Sequence, residues 1–286
     1  MGNKYITLIK KHGVKKGFLY LKQSLELKLK EKTYQSHGTK IRYIYEKHDS
    51  DRLIVIFSAF SEWGVKARYN YIKTLQDVKV NKLWILDEYG PYNRGCYYLG
   101  KSKGYEIYDS VKKLIIHLKT KYKIEETIYV GSSKGGYAAL NFGFDDEEGK
   151  ISIIAGAPQY LLGTYLTCNT TNKPLLELFE YLTGKTYNDK VQEEIEELDH
   201  IISDKLKQRS SVEKGMLCDV YLHYSDKEHT YLDNIIYLVQ DLKKLSINLQ
   251  EEVLHYSKHG DVAKFFPEFL IKSIEEILLK REERTV

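Results

Sequence analysis

The most regular feature of the chain is a series of short, continuously apolar runs set between longer stretches of mixed polarity. Leu53-Ile-Val-Ile-Phe57, Lys82-Leu-Trp-Ile-Leu-Asp87, Thr127-Ile-Tyr-Val130 and Ile151-Ser-Ile-Ile-Ala155 have the length and β-branched content of strands buried on both faces of a parallel sheet. Met216 to Tyr224 resumes the sheet, and Leu249 to His255, of mixed polarity, makes a last strand. Ile41-Arg-Tyr-Ile-Tyr-Glu46 alternates instead, which predicts an edge strand. Helical patterns over residues 71–76, 105–122 and 230–245, and from the loop at His259 to about Leu279, fall between and after these runs. Alternation of this kind predicts right-handed crossovers and a mostly parallel, doubly wound α/β sheet.

Two stretches depart from that rhythm. Residues 158–215 carry no strand pattern; Pro174 to Thr183 and Asp189 to Lys207 read as helices, the second with the acidic run Glu193-Glu-Ile-Glu-Glu197. This predicts a helical cap inserted over one sheet edge, dividing an α/β core into residues 40–157 and 216–286. Residues 1–39 form a basic arm: the first 40 residues hold ten Lys/Arg against two acids. Apolar residues at 18, 21, 25 and 29, interleaved with lysines, give it amphipathic periodicity. Such a helix either packs on the body with a solvated lysine face or gives a foothold on an anionic membrane surface or an acidic protein partner.

Composition narrows the classes of function. At 42% hydrophobic and 29% charged residues the chain reads as a soluble globular protein, and no run approaches the roughly 18 apolar residues of a membrane span. The opening Met-Gly-Asn-Lys-Tyr-Ile-Thr lacks the apolar core of a signal peptide, and Ile6 stands where a myristoylation signal needs Ser or Thr. A cytoplasmic protein is expected, peripheral at a membrane only through the arm. The three cysteines, Cys96, Cys168 and Cys218, are odd in number and lack metal-ligand spacing, so reduced thiols are expected and no metal or cofactor is implied. Motifs for kinase, phosphatase or nucleic-acid functions are missing from the sequence.

The chemistry concentrates in Gly131-Ser-Ser133-Lys-Gly135-Gly, which directly follows the apolar run Thr127 to Val130. Gly-x-Ser-x-Gly between a strand and a helix is the pattern of a nucleophile elbow. The corner residue takes a strained left-handed conformation, the flanking glycines let strand and helix approach, and the serine hydroxyl is raised at a helix N-terminus that favours negative charge. Other glycine-rich motifs do not fit. A P-loop needs Lys-Ser/Thr after its last glycine, where Tyr137-Ala138 stand, and a dinucleotide fingerprint needs glycine in place of Ser133.

A serine hydroxyl becomes a useful nucleophile only with a histidine in reach and a carboxylate to orient it. In the elbow framework these partners follow in the order serine, acid, histidine, on loops after later strands. His259, just past the last predicted strand and followed by Gly260, is the expected base; His229 and His255 are less well placed. Asp226 is the expected acid, with Glu228 the alternative. The backbone N–H groups of Lys134 and of Ala59 or Phe60 are the expected oxyanion donors. The Lys134 side chain is expected in solvent or steering an anionic substrate, and Tyr97 and Tyr98 of the loop after Asp87 are candidates to bind substrate through their rings.

From about residue 40 onward, these motifs resemble the α/β-hydrolase superfamily of serine esterases and acyltransferases. Within it, Gly-Ser-Ser-Lys-Gly-Gly, the Phe57-Ser58 strand end and Tyr97-Tyr98-Leu99-Gly100 are similar to the second accessory protein of the accessory Sec system and related capsule-biosynthesis proteins. The resemblance implies ester chemistry on an acyl group, most simply acetyl, of a carbohydrate or other small molecule, either removed by hydrolysis or transferred in surface-glycan or capsule biosynthesis. A non-catalytic scaffold in an export complex is the alternative from another class.

Overall fold

The apolar runs lie side by side because each is flanked by stretches too polar to be buried between two layers. In the computed structural model, which describes residues 26–36, 38–61, 65–188, 190–211 and 218–282, eight strands form one sheet in the order β1-β2-β4-β3-β5-β6-β7-β8. They are β1 (Glu31–Ser36), β2 (Thr39–Glu46), β3 (Arg52–Phe57), β4 (Asn81–Leu86), β5 (Glu126–Ser132), β6 (Lys150–Gly156), β7 (Cys218–Ser225) and β8 (Asn248–Leu254). From β4 across to β8 all pairings are parallel, whereas β1 and β2 join antiparallel.

Alternation along each strand assigns its side chains to two cores. Leu53, Val55 and Phe57 face one layer with Tyr129, Ile153 and Leu222. Ile54 and Ile56 face the other with Ile128, Val130 and Tyr221. The first layer is covered by α1 (Glu106–Tyr122) and α2 (Lys134–Asp145), by α3 (Leu162–Thr167), α4 (Lys173–Thr183) and α5 (Gln192–Ser210) between β6 and β7, and by α6 (Ile236–Lys244). The second is closed largely by α7 (Val262–Glu282), through Phe266, Leu270, Ile274 and Ile277.

Three expectations are corrected. Ile41 to Glu46 is not at the edge: residues 31–36, assigned from the sequence to the arm, pair outside it as β1. Glu31 there meets Arg42 at 3.0 Å. Residues 71–76 form turns, not a helix; the β3–β4 crossover packs on the sheet through Leu75 and Val80 instead. The last helix extends three residues beyond Leu279, to Glu282. Residues 1–25, most of the arm, lie outside the described residues.

What positions chemistry is the corner between β5 and α2. β5 ends at Ser132 and α2 starts at Lys134, so Ser133 alone makes the turn, with φ 53° and ψ −125°. A Cβ on Gly131 would lie 2.2 Å from the carbonyl oxygen of Gly135, and one on Gly135 would lie 2.7 Å from that of Phe57. Both obstacles are backbone, which cannot swing aside. Gly131→Ala should therefore destabilise by about 1–3 kcal/mol or more, as overpacking of a closed core does, read as a lower urea midpoint. A midpoint equal to that of the parent would mean the corner has slack.

Candidate active site

The corner aims the Ser133 hydroxyl at the turn between β8 and α7. There His259 opens a 3-10 turn, and its Nε2 lies 2.9 Å from Ser133 Oγ. Its other ring nitrogen, Nδ1, lies 3.2 and 3.3 Å from the two carboxylate oxygens of Glu228, three residues past β7. The Glu228 side chain is fully buried, and the hydroxyl and N–H of Thr230 both donate to it. Burial by itself raises the Glu228 pKa, but the hydrogen bond and charge of His259, with the Thr230 bonds, hold it below its usual value. A carboxylate kept ionised against Nδ1–H fixes the tautomer that leaves Nε2 free to accept the serine proton.

Asp226 does not occupy the expected place. Its N–H still bonds the carbonyl of Leu254, so it prolongs the β7–β8 ladder, and its carboxylate pairs at 2.7 Å with the exposed His255. The loop only turns inward two residues later, which is why Glu228 and not Asp226 meets His259. Lys134 is also unlike its expectation. Its ammonium is fully buried, 2.8 Å from the equally buried Asp87, and 4.7 Å from the centre of the Tyr98 ring. Burial lowers its pKa, with Asp87 opposing. It therefore neither sits in solvent nor steers substrate.

Tyr97 and Tyr98 are fully buried and do not reach the cleft. The Tyr98 hydroxyl donates to the carbonyl of Ile85 and accepts from the N–H of Ser58. From the same loop the cleft receives Tyr92 and Arg94. Of the expected oxyanion donors, the N–H of Ala59 is engaged by the side chain of Asn70 at 3.0 Å. The backbone candidates are then Phe60, which lines the cleft, and Lys134, at the start of α2 where N–H groups lack helical acceptors.

Two features were not anticipated from sequence. Gln159, three residues past Gly156 at the end of β6, places its amide nitrogen 3.2 Å from Ser133 Oγ; its one sequence signal is a polar residue just beyond the strand beside the elbow. The second is the cleft itself, about 740 Å³, whose walls include Arg68, Tyr165 and Leu175 beside Ser133 and His259. Two of the three helices between β6 and β7, α3 and α4, thus supply part of the wall. Among the described residues, no group of three or more His, Cys, Asp or Glu could hold a metal ion, and no helix is long and apolar enough to cross a membrane.

No protein-family model matches the chain, and no curated protein sequence matches it. Among solved structures, the capsule O-acetyltransferase of Neisseria meningitidis serogroup A superposes with a TM-score of 0.63 at 22% identity, over 85% of this chain and 94% of that one. A mutant of that enzyme in complex with CoA gives 0.63 at 20% identity, over 86% and 95%. The mouse α/β hydrolase domain-containing protein 10 gives 0.55 at 15%, over 87% and 98%. The chain has the α/β-hydrolase fold. The same fold extends to the Glycosylation Associate Protein (Gap123) complex from Streptococcus agalactiae, with a TM-score of 0.66 at 17% identity, over 84% of this chain and 45% of that one.

Two outcomes are expected from these contacts. Lys134→Met leaves the Asp87 carboxylate buried without its counter-charge and should cost about 3–5 kcal/mol in urea unfolding, part of it recovered by adding Asp87→Asn; equal stability of the single variant and the parent would contradict the pairing. If Ser133, His259 and Glu228 act as a triad, Glu228→Gln should lower kcat on a chromogenic acetate ester by about 10³–10⁴-fold, while Asp226→Asn stays within about threefold. The reverse ranking would return the acid role to Asp226.

Proposed function

We propose that the chain is a serine acyl-transfer enzyme, with Ser133 as nucleophile, His259 as base and Glu228 as the orienting acid. The observation that carries this is the continuous path from Ser133 Oγ to His259 Nε2 at 2.9 Å and from His259 Nδ1 to Glu228 at 3.2 Å. In the first half-reaction Oγ bonds the acyl carbon as its proton passes to Nε2, which returns it to the departing group. In the second, an incoming hydroxyl gives its proton to Nε2 and takes the acyl group. The N–H groups of Lys134 and Phe60 would stabilise the oxyanion; each well-aimed donor contributes about 10²–10³ in rate.

The acyl group is most simply acetyl and the acceptor a carbohydrate hydroxyl, with water as the alternative. Support comes from the likeness in fold to a capsule O-acetyltransferase and from the cleft's lining. Its charged side chains are Arg68 and Arg94, without a carboxylate among the described lining residues, a balance suited to a phosphate-bearing donor such as acetyl-CoA. The exposed ring of Tyr92 and the ring of Tyr165 offer faces to a sugar. A scaffold role within a glycan-modifying or export complex is the second reading, favoured by the likeness to the Gap123 complex.

A fluorophosphonate probe separates the two. The enzyme reading expects one covalent adduct, on the tryptic peptide bearing Ser133, absent from Ser133→Ala, with turnover in that variant lower by on the order of 10⁶-fold. A folded wild-type chain that takes up no probe, or takes it up elsewhere, would favour the scaffold.

A further inference from the structure

Among the described residues, the Ser133 hydroxyl has two side-chain partners, His259 and Gln159. A hydroxyl carries one proton and two lone pairs. The proton goes to His259 Nε2, and the Gln159 amide donates to a lone pair at 3.2 Å. The same amide nitrogen lies 3.4 Å from His259 Nε2 itself. Its carbonyl end accepts from the Tyr97 hydroxyl at 3.3 Å, which fixes the end of the amide that faces the serine. Gln159 is fully buried. Tyr97 is held in turn by edge-on packing against Phe60 at 5.4 Å and Tyr137 at 5.1 Å.

Making an acyl-enzyme does not call for this amide, because His259 already takes the serine proton. The second half-reaction is where its position matters. Once Oγ is an ester oxygen it is a poorer acceptor, and the lone pair of His259 Nε2 becomes the better site for the Gln159 N–H. The incoming nucleophile needs that same lone pair. In that step its O–H proton passes to Nε2, its oxygen bonds the acyl carbon, and the bond from carbon to Oγ breaks as Nε2 returns the proton to Oγ. A water molecule must displace the amide with a single contact. An acceptor hydroxyl anchored by the rest of its molecule arrives already oriented, which lowers its barrier where the barrier for water stays.

We infer that Gln159 biases the acyl-enzyme toward transfer to a cleft-bound alcohol and against hydrolysis. This rests on the acyl-enzyme proposed above, and it assigns Tyr97 as a positioning residue for the amide. The full chain is acylated with 4-nitrophenyl acetate in water containing increasing methyl α-D-glucopyranoside, and acetate and acetylated glycoside are quantified for the parent, Gln159→Met, Gln159→Leu and Tyr97→Phe. In the Gln159 variants the nitrophenolate burst is expected to persist while the ratio of transfer to hydrolysis falls about tenfold, the equivalent of one hydrogen bond near 1.4 kcal/mol. Tyr97→Phe is expected to shift the ratio the same way by less. A ratio unchanged in both Gln159 variants, or a burst and turnover lost together in both, would overturn the inference, as would a parent that forms acetate alone. A parent lacking both the burst and fluorophosphonate labelling at Ser133 would remove the acyl-enzyme itself, an outcome distinct from an unmoved ratio in a labelled protein.

Discussion

The structure depends on the closeness of two backbones at the β5–α2 corner. A strand can become a helix within one residue only where the chain before and after the corner can touch. Here the Gly131 Cα lies so near the Gly135 carbonyl that a methyl group does not fit. The residue left at the apex, Ser133, holds a positive φ, a conformation that costs on the order of 1–3 kcal/mol. It persists because β5 is paired on both sides, by β3 and β6, and because α2 is buried along nearly its whole length. The strain and the exposure of the hydroxyl to His259 are two consequences of one geometry.

A second constraint lies directly beneath. Asp87, just past β4, accepts from the N–H groups of Cys96 and Tyr98 and from the Lys134 ammonium. One buried carboxylate thereby ties the loop that follows β4 to the first residue of the elbow helix. Buried ion pairs are seldom strong sources of stability, since both charges leave water. What this one does is set register: the loop that brings Tyr92 and Arg94 to the cleft is fastened to the helix that brings the serine. The same network explains why Tyr97 and Tyr98 turn inward and why the lysine after the nucleophile is not a surface charge.

Much of this arrangement is legible in the sequence, and the boundary of legibility is physical. β3 to β7 announce themselves because strands covered on both faces must be largely apolar, whereas β8, a half-exposed strand at the sheet edge, is marked by its place in the alternation. The elbow is legible because close backbone approach demands glycine, and His259 because a base must follow the last strand. β1 is not, since Glu31-Lys-Thr-Tyr-Gln-Ser36 is an edge strand whose polar side chains face solvent and carry no burial signal. Asp226 and Glu228 differ only in where a ladder stops, and that depends on the register of β8 against β7, not on either residue's chemistry. Gln159 belongs to no motif; its place follows from β6 lying beside β5, a long-range pairing.

The central claim is that one imidazole bridges the elbow serine and a buried glutamate. Its most direct measurement is the Nδ1 proton of His259, observed by NMR in protein labelled with ¹⁵N-histidine and assigned by its loss in His259→Ala. The His223 pair with Glu252 is also sheltered, at 2.6 Å, so assignment by variant is essential, whereas His255 is open to solvent and its proton should exchange away. The account predicts a proton resonance far downfield of the amides that is displaced by Glu228→Gln and kept in Asp226→Asn. A resonance that Glu228→Gln leaves in place and Asp226→Asn abolishes would contradict it.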